Sequence, residues 1–279
     1  MLIVSLAQLC STPDIDANLS MARELAMQAK ERGARWLIFP ECTPYLGPDA
    51  RGDGAVQPLD GEIPSFFQQL ARDTDLYITL GSFHETSPDP ERAYNTQLFI
   101  SPDGHILATY RKLHLFDVTF ANGSSLRESD SYVPGEQIVT HDLPAVNEQD
   151  HDEAWRVGCS ICYDLRFPYL YQSLVRAGAE MITVPSAFTL ETGRDHWHPL
   201  LQARAIETQC YVLAPNQFGN HFGSRNSYGH SSIYDPWGRL LASAPDRACV
   251  ITAEIDHTIL SRVRSRLPCQ QHVRHDIQR

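Results

Sequence analysis

The chain has 279 residues, 42% hydrophobic and 20% charged, the size and composition of a globular enzyme. Its formal net charge is -11, from 34 acidic against 23 basic residues, which repels phosphate backbones and argues against nucleic acid as a partner. No apolar run approaches the roughly 20 residues that span a bilayer, and seven scattered cysteines suit free thiols in a reducing cytoplasm better than a disulfide framework.

In chain order, "MLIVSLAQLC" lacks a basic n-region and a small-residue cleavage site, so it reads as a first strand rather than a leader. "DIDANLSMARELAMQAKERG" places Leu19, Ala22, Leu25, Ala26 and Ala29 near helical spacing, with Gly33 as a stop. "RWLIFPE" is too short for a helix and fits a strand buried on both faces. "PSFFQQLARD" has Pro64 at a helix entry, and "LYITLGSF" is strand-like. "TQLFISPDGHILATYRK" is a hairpin around Pro102-Asp103-Gly104.

Residues 117–153 are polar and turn-rich, and "VNEQDHDEA" at their end reads as an exposed acidic loop. Then come the strand "WRVGCSI", the helix "PYLYQSLVRAGA", the strand "EMITVPSAF", the helix "HPLLQARAIETQ" and the strand "CYVLAPNQ". "HSSIYDP", "GRLLASA" and "CVITAEI" close the strands, and "HTILSRVRSRL" is a last helix. The tail "SRVRSRLPCQQHVRHDIQR" carries arginines at helical spacing, which suits a solvated helix face. Strand and helix alternate with no linker of Gly, Ser and Pro, so one α/β layered domain over 1–279 is expected.

The candidate chemistry sits at three places. Cys159 and Cys162 are spaced C-x-x-C, but no second pair completes a zinc set. Cys159 alternates with Val157 and Ile161 and reads as buried. Cys162 ends the strand just before Pro168, where a turn into a helix exposes a nucleophile near backbone N–H groups. Packing, metal and redox readings of Cys162 stay open on this stretch alone. A nucleophilic thiol needs a base, and His114, His196, His198 and His230 are available without any defining pattern. Glu41 follows the apolar strand "WLIFP", where partial desolvation makes a carboxylate a useful base; a solvated loop glutamate fits equally well. Lys112 shares parity with Ile106, Ala108 and Tyr110, and either it or Arg111 faces inward. Glu128 alone looks like a loop residue.

Taken together, Glu41 after "LIFP", Lys112 in "YRKLHLFD" and Cys162 in "CYDLRFP" resemble the Glu-Lys-Cys triad of the nitrilase superfamily, the carbon–nitrogen hydrolases. "PSAF", "HWHPLLQARAIETQCYVLAPNQ", "SYGHSSIYDPWG" and "LPCQQHVRHD" are similar to its Nit-type branch, the deaminated glutathione amidases. "RKLHLFD" and "RESD" are shared with the omega-amidases. Arg194-Asp195 and His198 depart from the pattern, which puts the pocket around them in question.

The resemblance implies a four-layer α-β-β-α sandwich with two central mixed sheets, no metal and no cofactor. It also implies a homodimer through a helical face, to which the tail from about 256 to 279 contributes. It further implies a thiol amidase that hydrolyses the primary amide of deaminated glutathione, or a similar omega-amide of a 2-oxo acid, releasing ammonia through a cysteine thioester. Alternatives are an omega-amidase acting on α-ketoglutaramate, an N-carbamoyl amide hydrolase, and an idle scaffold of the same fold. By the same resemblance Glu41 is the base, and Lys112 with the backbone N–H of Tyr163 stabilises the oxyanion. Glu128 orients Lys112 or the substrate. Phe188, Thr189, His196 and Trp197 are expected at the pocket. Arg166, with Asp164, is expected as an ion pair or loop clamp, or to meet a substrate carboxylate.

Overall fold

Period-two alternation decides how the strands are buried. In a computed structural model, residues 1–52, 54–119, 123, 125–144, 154–274 and 276 are described. The first strand, β1 (Leu2–Gln8), turns Leu2, Val4 and Leu6 to one side and Ala7 to the other, and both sides are covered. β2 (Trp36–Ile38) does the same, with Trp36 and Ile38 facing one way and Leu37 the other. This is why "RWLIFPE" reads as an unbroken apolar run.

These strands belong to the first mixed sheet, with β3 (Val56–Gln57), β4 (Tyr77–Thr86), β5 (Ala93–Ile100), β6 (Ile106–Arg111) and β17 (Cys249–Ile255). Its order is β17-β1-β2-β4-β5-β6, with β3 paired to β4. β1, β2 and β4 run parallel; the other neighbours along that order are antiparallel. The second mixed sheet contains β9 (Thr140–Leu143), β10 (Trp155–Cys159), β11 (Met181–Thr183), β12 (Tyr211–Ala214), β15 (Ser232–Tyr234) and β16 (Leu240–Ser243). Its order is β16-β15-β12-β11-β10-β9. Two hairpins stand outside both sheets, β7 (Asp117–Thr119) with β8 (Ser125–Arg127), and β13 (Phe218–Phe222) with β14 (Arg225–Tyr228).

Three apolar cores separate four layers. α1 (Ile15–Glu31) and α2 (Glu62–Thr74) bury Ala22, Leu25, Phe67 and Leu70 against the first sheet. Val4, Trp36, Phe99, Val157, Met181 and Leu213 fill the space between the sheets. α3 (Pro168–Arg176) and α4 (Leu190–Thr208) cover the second sheet with Leu170, Leu174, Trp197 and Leu201. Each such side chain taken fully out of water contributes about 1.5–3 kcal/mol. The expected α-β-β-α sandwich is the observed fold. Among the described residues, no helix is long and apolar enough to cross a membrane.

Local signals explain the helix ends. Asp14 caps α1 by accepting from the Ala17 N–H at 3.0 Å, and Gly33 follows it at φ +74°. Pro168 is the first residue of α3. The expected helix start at His198-Pro199 is corrected: α4 begins at Leu190, and Pro199 lies inside it. The carbonyl that Pro199 leaves without its usual donor belongs to Asp195, an exposed residue that water reaches. The hairpin of β13 and β14 and the short β7, β8 and β9 were missed in sequence, because polar residues dominate them. The loop expected at "VNEQDHDEA" lies, but for Ala154, outside the described residues.

Candidate active site

The floor of the site is built where β10 ends. Cys162 opens a 3-10 turn, Cys162–Arg166, and Pro168 begins α3 two residues later. Cys162 has φ +46°, a left-handed conformation that costs a non-glycine residue energy and is kept only when its surroundings enforce it. They do so here. The Cys162 N–H donates to Pro185 O at 2.9 Å. Fully buried Asp164 accepts from the Ile161 N–H at 2.8 Å and the Tyr110 hydroxyl at 2.6 Å. Its other oxygen meets the His114 N–H at 3.1 Å and His114 Nδ1 at 2.6 Å. Asp164 is therefore the clamp of this turn, and Arg166 is not its partner.

Glu41 enters from the opposite sheet. It follows β2 past Pro40, and the chain crosses β4 at Gly81. A Cβ on Gly81 would stand 2.0 Å from Phe39 O and 2.4 Å from Pro40 O, so only glycine permits the crossing. The Cys42 N–H donates to Ser82 Oγ at 2.8 Å, and Gln217 Nε2 donates to Glu41 O at 3.0 Å, which pins the backbone on both sides.

Lys112 follows β6, with its N–H on Asn95 O at 2.9 Å. It is 1% exposed. Its Nζ lies 2.8 Å from Glu41 Oε1, and 3.0 and 2.8 Å from the two Glu128 oxygens. Glu128 starts a 3-10 turn, Glu128–Asp130, and its side chain also accepts from the Phe116 N–H at 2.8 Å. Glu41 is completed by Asn95 Nδ2 at 2.9 Å on Oε1 and the Ala187 N–H at 2.8 Å on Oε2.

The charges follow from these contacts. Burial pushes Glu41 upward, but the Lys112 charge and the hydrogen bonds from Lys112 and Ala187 outweigh it and leave the carboxyl below its ordinary value. Burial pushes Lys112 downward, but Glu128 and Glu41 outweigh that and hold it well above the ordinary lysine value. Burial first, and then the neighbouring Glu41 charge, pushes the Cys162 thiol well above its ordinary value, with Lys112 opposing. The site at neutral pH therefore holds a carboxylate, an ammonium and a protonated thiol that lies against Glu41.

The Carbon-nitrogen hydrolase family model matches residues 3–264. The chain belongs to the carbon–nitrogen hydrolase family. It is a hydrolase acting on amide carbon–nitrogen bonds. The chain is 40% identical over 279 residues to the deaminated glutathione amidase of Bos taurus, covering 99% of this chain and 83% of that protein. Among solved structures it is similar to the C. elegans NitFhit protein, at 35% identity and a TM-score of 0.88, covering 100% of this chain and 66% of the other. It is also similar to Saccharomyces cerevisiae Nit3, a member of branch 10 of the nitrilase superfamily, at 29% identity and a TM-score of 0.84, covering 99% and 97% of the two chains.

The three positions that carried the resemblance to this family, with Glu128, come together at one point from four separate segments. The cavity above Cys162 is lined by Tyr163, Arg166, Phe188 and Thr189, and by Phe116, Thr192 and Arg225. Tyr163 is the second residue of the 3-10 segment, directly after Cys162. Arg166 meets His196 Nδ1 at 3.2 Å and lies over the Phe188 ring.

Two expected pocket residues are placed elsewhere. Trp197 is fully buried behind Phe188, with Nε1 donating to His230 O at 2.9 Å. His196 is exposed and, among the described residues, meets the site through Arg166. Arg194 and Asp195 are exposed on α4, and His198 meets Tyr234, so these departures lie outside the cavity lining. The helical course from Leu190 explains all of these placements, since every fourth residue faces the sheet.

Cys159 is buried beside Tyr110 and Ile161. Among the described residues, no three His, Cys, Asp or Glu side chains form a group that could hold a metal ion. Asn95, Ala187 and Arg225 were missed in sequence. Asn95 had a signal, since it is a polar residue on a strand parity otherwise turned to the interior.

Proposed function

We propose that this hydrolase is a thiol amidase whose triad is Cys162, Glu41 and Lys112, acting on deaminated glutathione. The observation that carries the reading is the buried Lys112 ammonium, held between Glu41 and Glu128 while the Cys162 thiol faces Glu41. A cation buried at the cost of its hydration belongs where negative charge develops.

In this mechanism Glu41 takes the thiol proton as sulfur attacks the amide carbon. That transfer is uphill in the empty site, because Glu41 is a weakened base and Cys162 a weakened acid. The bound amide offsets it, as its oxygen gains charge beside Lys112 and the Tyr163 N–H. Glu41 then protonates the departing nitrogen, a thioester remains on Cys162, and Glu41 activates the water that hydrolyses it. Glu128 positions Lys112.

The leaving group needs a correction. Glutathione and its deaminated form contain no primary amide; the γ-acyl group is joined to cysteinylglycine. Cleavage there releases that dipeptide and 2-oxoglutarate, whereas α-ketoglutaramate releases ammonia and the same acid. The name shared by the 40% identical relative and the arginines at the cavity, Arg166 and Arg225, support the first substrate. Formation of 2-oxoglutarate measures both. A higher kcat/KM on deaminated glutathione is expected, and a higher one on α-ketoglutaramate overturns the choice.

The same reading places the enzyme in the cytoplasm as a homodimer. Its seven cysteines are free, and Tyr169 and Ile206 are exposed apolar residues on α3 and α4, the outer helical face. Light scattering that returns a monomer at micromolar concentration contradicts the dimer.

A further inference from the structure

The cavity above Cys162 is one of two chambers. The first holds Cys162, Tyr163, Arg166, Phe188, Thr189 and Thr192. The second holds Cys42, Leu46, Asn95, Arg127, Tyr132 and Phe222. They share Glu41, Glu128, Ala187 and Arg225. The second is the larger, with about 150 Å³ open to water against about 20 Å³.

The second chamber contains a polar atom that the protein does not satisfy. Asn95 is 2% exposed, and its Nδ2 donates to Glu41, which fixes Oδ1 as the remaining acceptor. Among the described residues Oδ1 has no partner. A buried acceptor left unpaired is unfavourable, and a donor arriving with the substrate recovers that cost. Arg225, where the chambers meet, forms no ion pair among the described residues.

The chemistry of amide cleavage assigns the two sides. The acyl carbon must face Cys162, in the first chamber. The nitrogen must face the group that protonates it, Glu41, and with it the neighbouring Asn95. A primary amide carries nothing beyond its nitrogen and fills the first chamber alone. A secondary amide carries a substituent that needs the second.

We propose that the second chamber is a leaving-amine subsite for secondary amides whose amine part ends in a carboxylate, a short peptide being the fitting class. This rests on the amidase reading above. Asn95 Oδ1 accepts from the N–H of the scissile amide and then of the departing amine. Arg225 meets the carboxylate of the amine part. The carbon–nitrogen bond breaks as Glu41 returns to nitrogen the proton it took from Cys162. The amine leaves through the second chamber, and water follows it to Glu41 to hydrolyse the thioester.

The test compares deaminated glutathione with α-ketoglutaramate, which share their acyl group and thioester, in wild type, Arg225→Gln and Leu46→Trp. Arg225→Gln is expected to lower kcat/KM on deaminated glutathione about 10- to 100-fold, mainly through KM, the size of a lost charged hydrogen bond. Turnover of α-ketoglutaramate by the same variant is expected to fall clearly less than that of deaminated glutathione. Leu46→Trp, which fills the chamber without removing a charge, is expected to reproduce the selectivity. Equal loss on both substrates in Arg225→Gln assigns Arg225 to the acyl side and overturns the proposal, as does no loss on either. If wild type forms no 2-oxoglutarate from either substrate, the amidase reading itself fails; if it acts on α-ketoglutaramate alone, the amidase chemistry stands while the subsite and the choice of deaminated glutathione both fail.

Discussion

Arg111 and Lys112 are neighbours at the end of β6, and each meets a buried glutamate, yet they end in different worlds. Arg111 Nη2 reaches Glu85 at 2.6 Å and Nε reaches it at 2.8 Å, while the arginine side chain remains 40% exposed. The Lys112 side chain has no exposure and is shared by two carboxylates. The first pair ties β6 to β4 at the surface. The second stores a charge that water cannot screen, beside a thiol. Consecutive strand residues face opposite ways, so a single step along the chain separates a structural tie from a reagent.

Breaking each pair gives the largest contrast. Lys112→Ala removes the cation from buried Glu41 and partly buried Glu128, and a loss of about 10²–10³ in kcat is expected for one lost oxyanion donor. The same change is expected to cost about 3–5 kcal/mol in urea unfolding, the cost of orphaning a buried partner. Arg111→Ala is expected to leave kcat/KM within about threefold and to cost about 1 kcal/mol or less, because its guanidinium is solvated.

Glu41→Gln sharpens the contrast by moving two readouts in opposite directions. Turnover is expected to fall about 10²–10⁴-fold for loss of the base. Iodoacetamide should label Cys162 faster than in wild type, since the Glu41 charge is one of the groups that raise its pKa. Glu85→Gln, on the other face, is expected to move neither.

The pair also sets a pH window. Lys112 is raised above its ordinary value of 10.5, so its stabilisation is full below that pH and is lost as pH climbs through its folded value. Glu41 is lowered below its ordinary 4.5, so its stabilisation is present above that pH and is lost as pH falls through its folded value. Without Lys112, burial acts on Glu41 unopposed by a cation and raises it, so the urea-midpoint gap between wild type and Lys112→Ala should be widest at alkaline pH below 10.5 and should narrow as pH falls and the orphaned carboxyl takes a proton. A gap that stays constant from 4.5 to 10.5 contradicts the buried pairing.

The smallest effect is expected behind the pocket. Trp197→Phe removes the hydrogen bond to His230 O and should cost about 1 kcal/mol in unfolding, with KM within about twofold.

How far the sequence was legible follows from the same geometry. Strands buried on both faces, such as "RWLIFP", announce themselves as short apolar runs, and Pro168 and Gly33 mark helix ends by their own backbone limits. Parity alone did not decide between Arg111 and Lys112, because it shows which residues share a face but not which face is inside. Ile106 also shows its limit: a register shift near Ile100 sends it to the helix layer, while Ala108 packs between the sheets. His196 and Trp197 were misplaced because Pro199 looked like a helix start. Arg225 gave no local signal, since its place depends on a hairpin brought against α4, where a Cβ on Gly193 would lie 2.3 Å from the Tyr228 Cβ.

The most direct measurement is the mass of the Cys162 peptide from enzyme quenched in acid during turnover of deaminated glutathione. The mechanism predicts the added mass of a 2-oxoglutaryl group on Cys162, absent in Cys162→Ala, with cysteinylglycine released in step. An unmodified Cys162 during active turnover, or the acyl group on another cysteine, contradicts it.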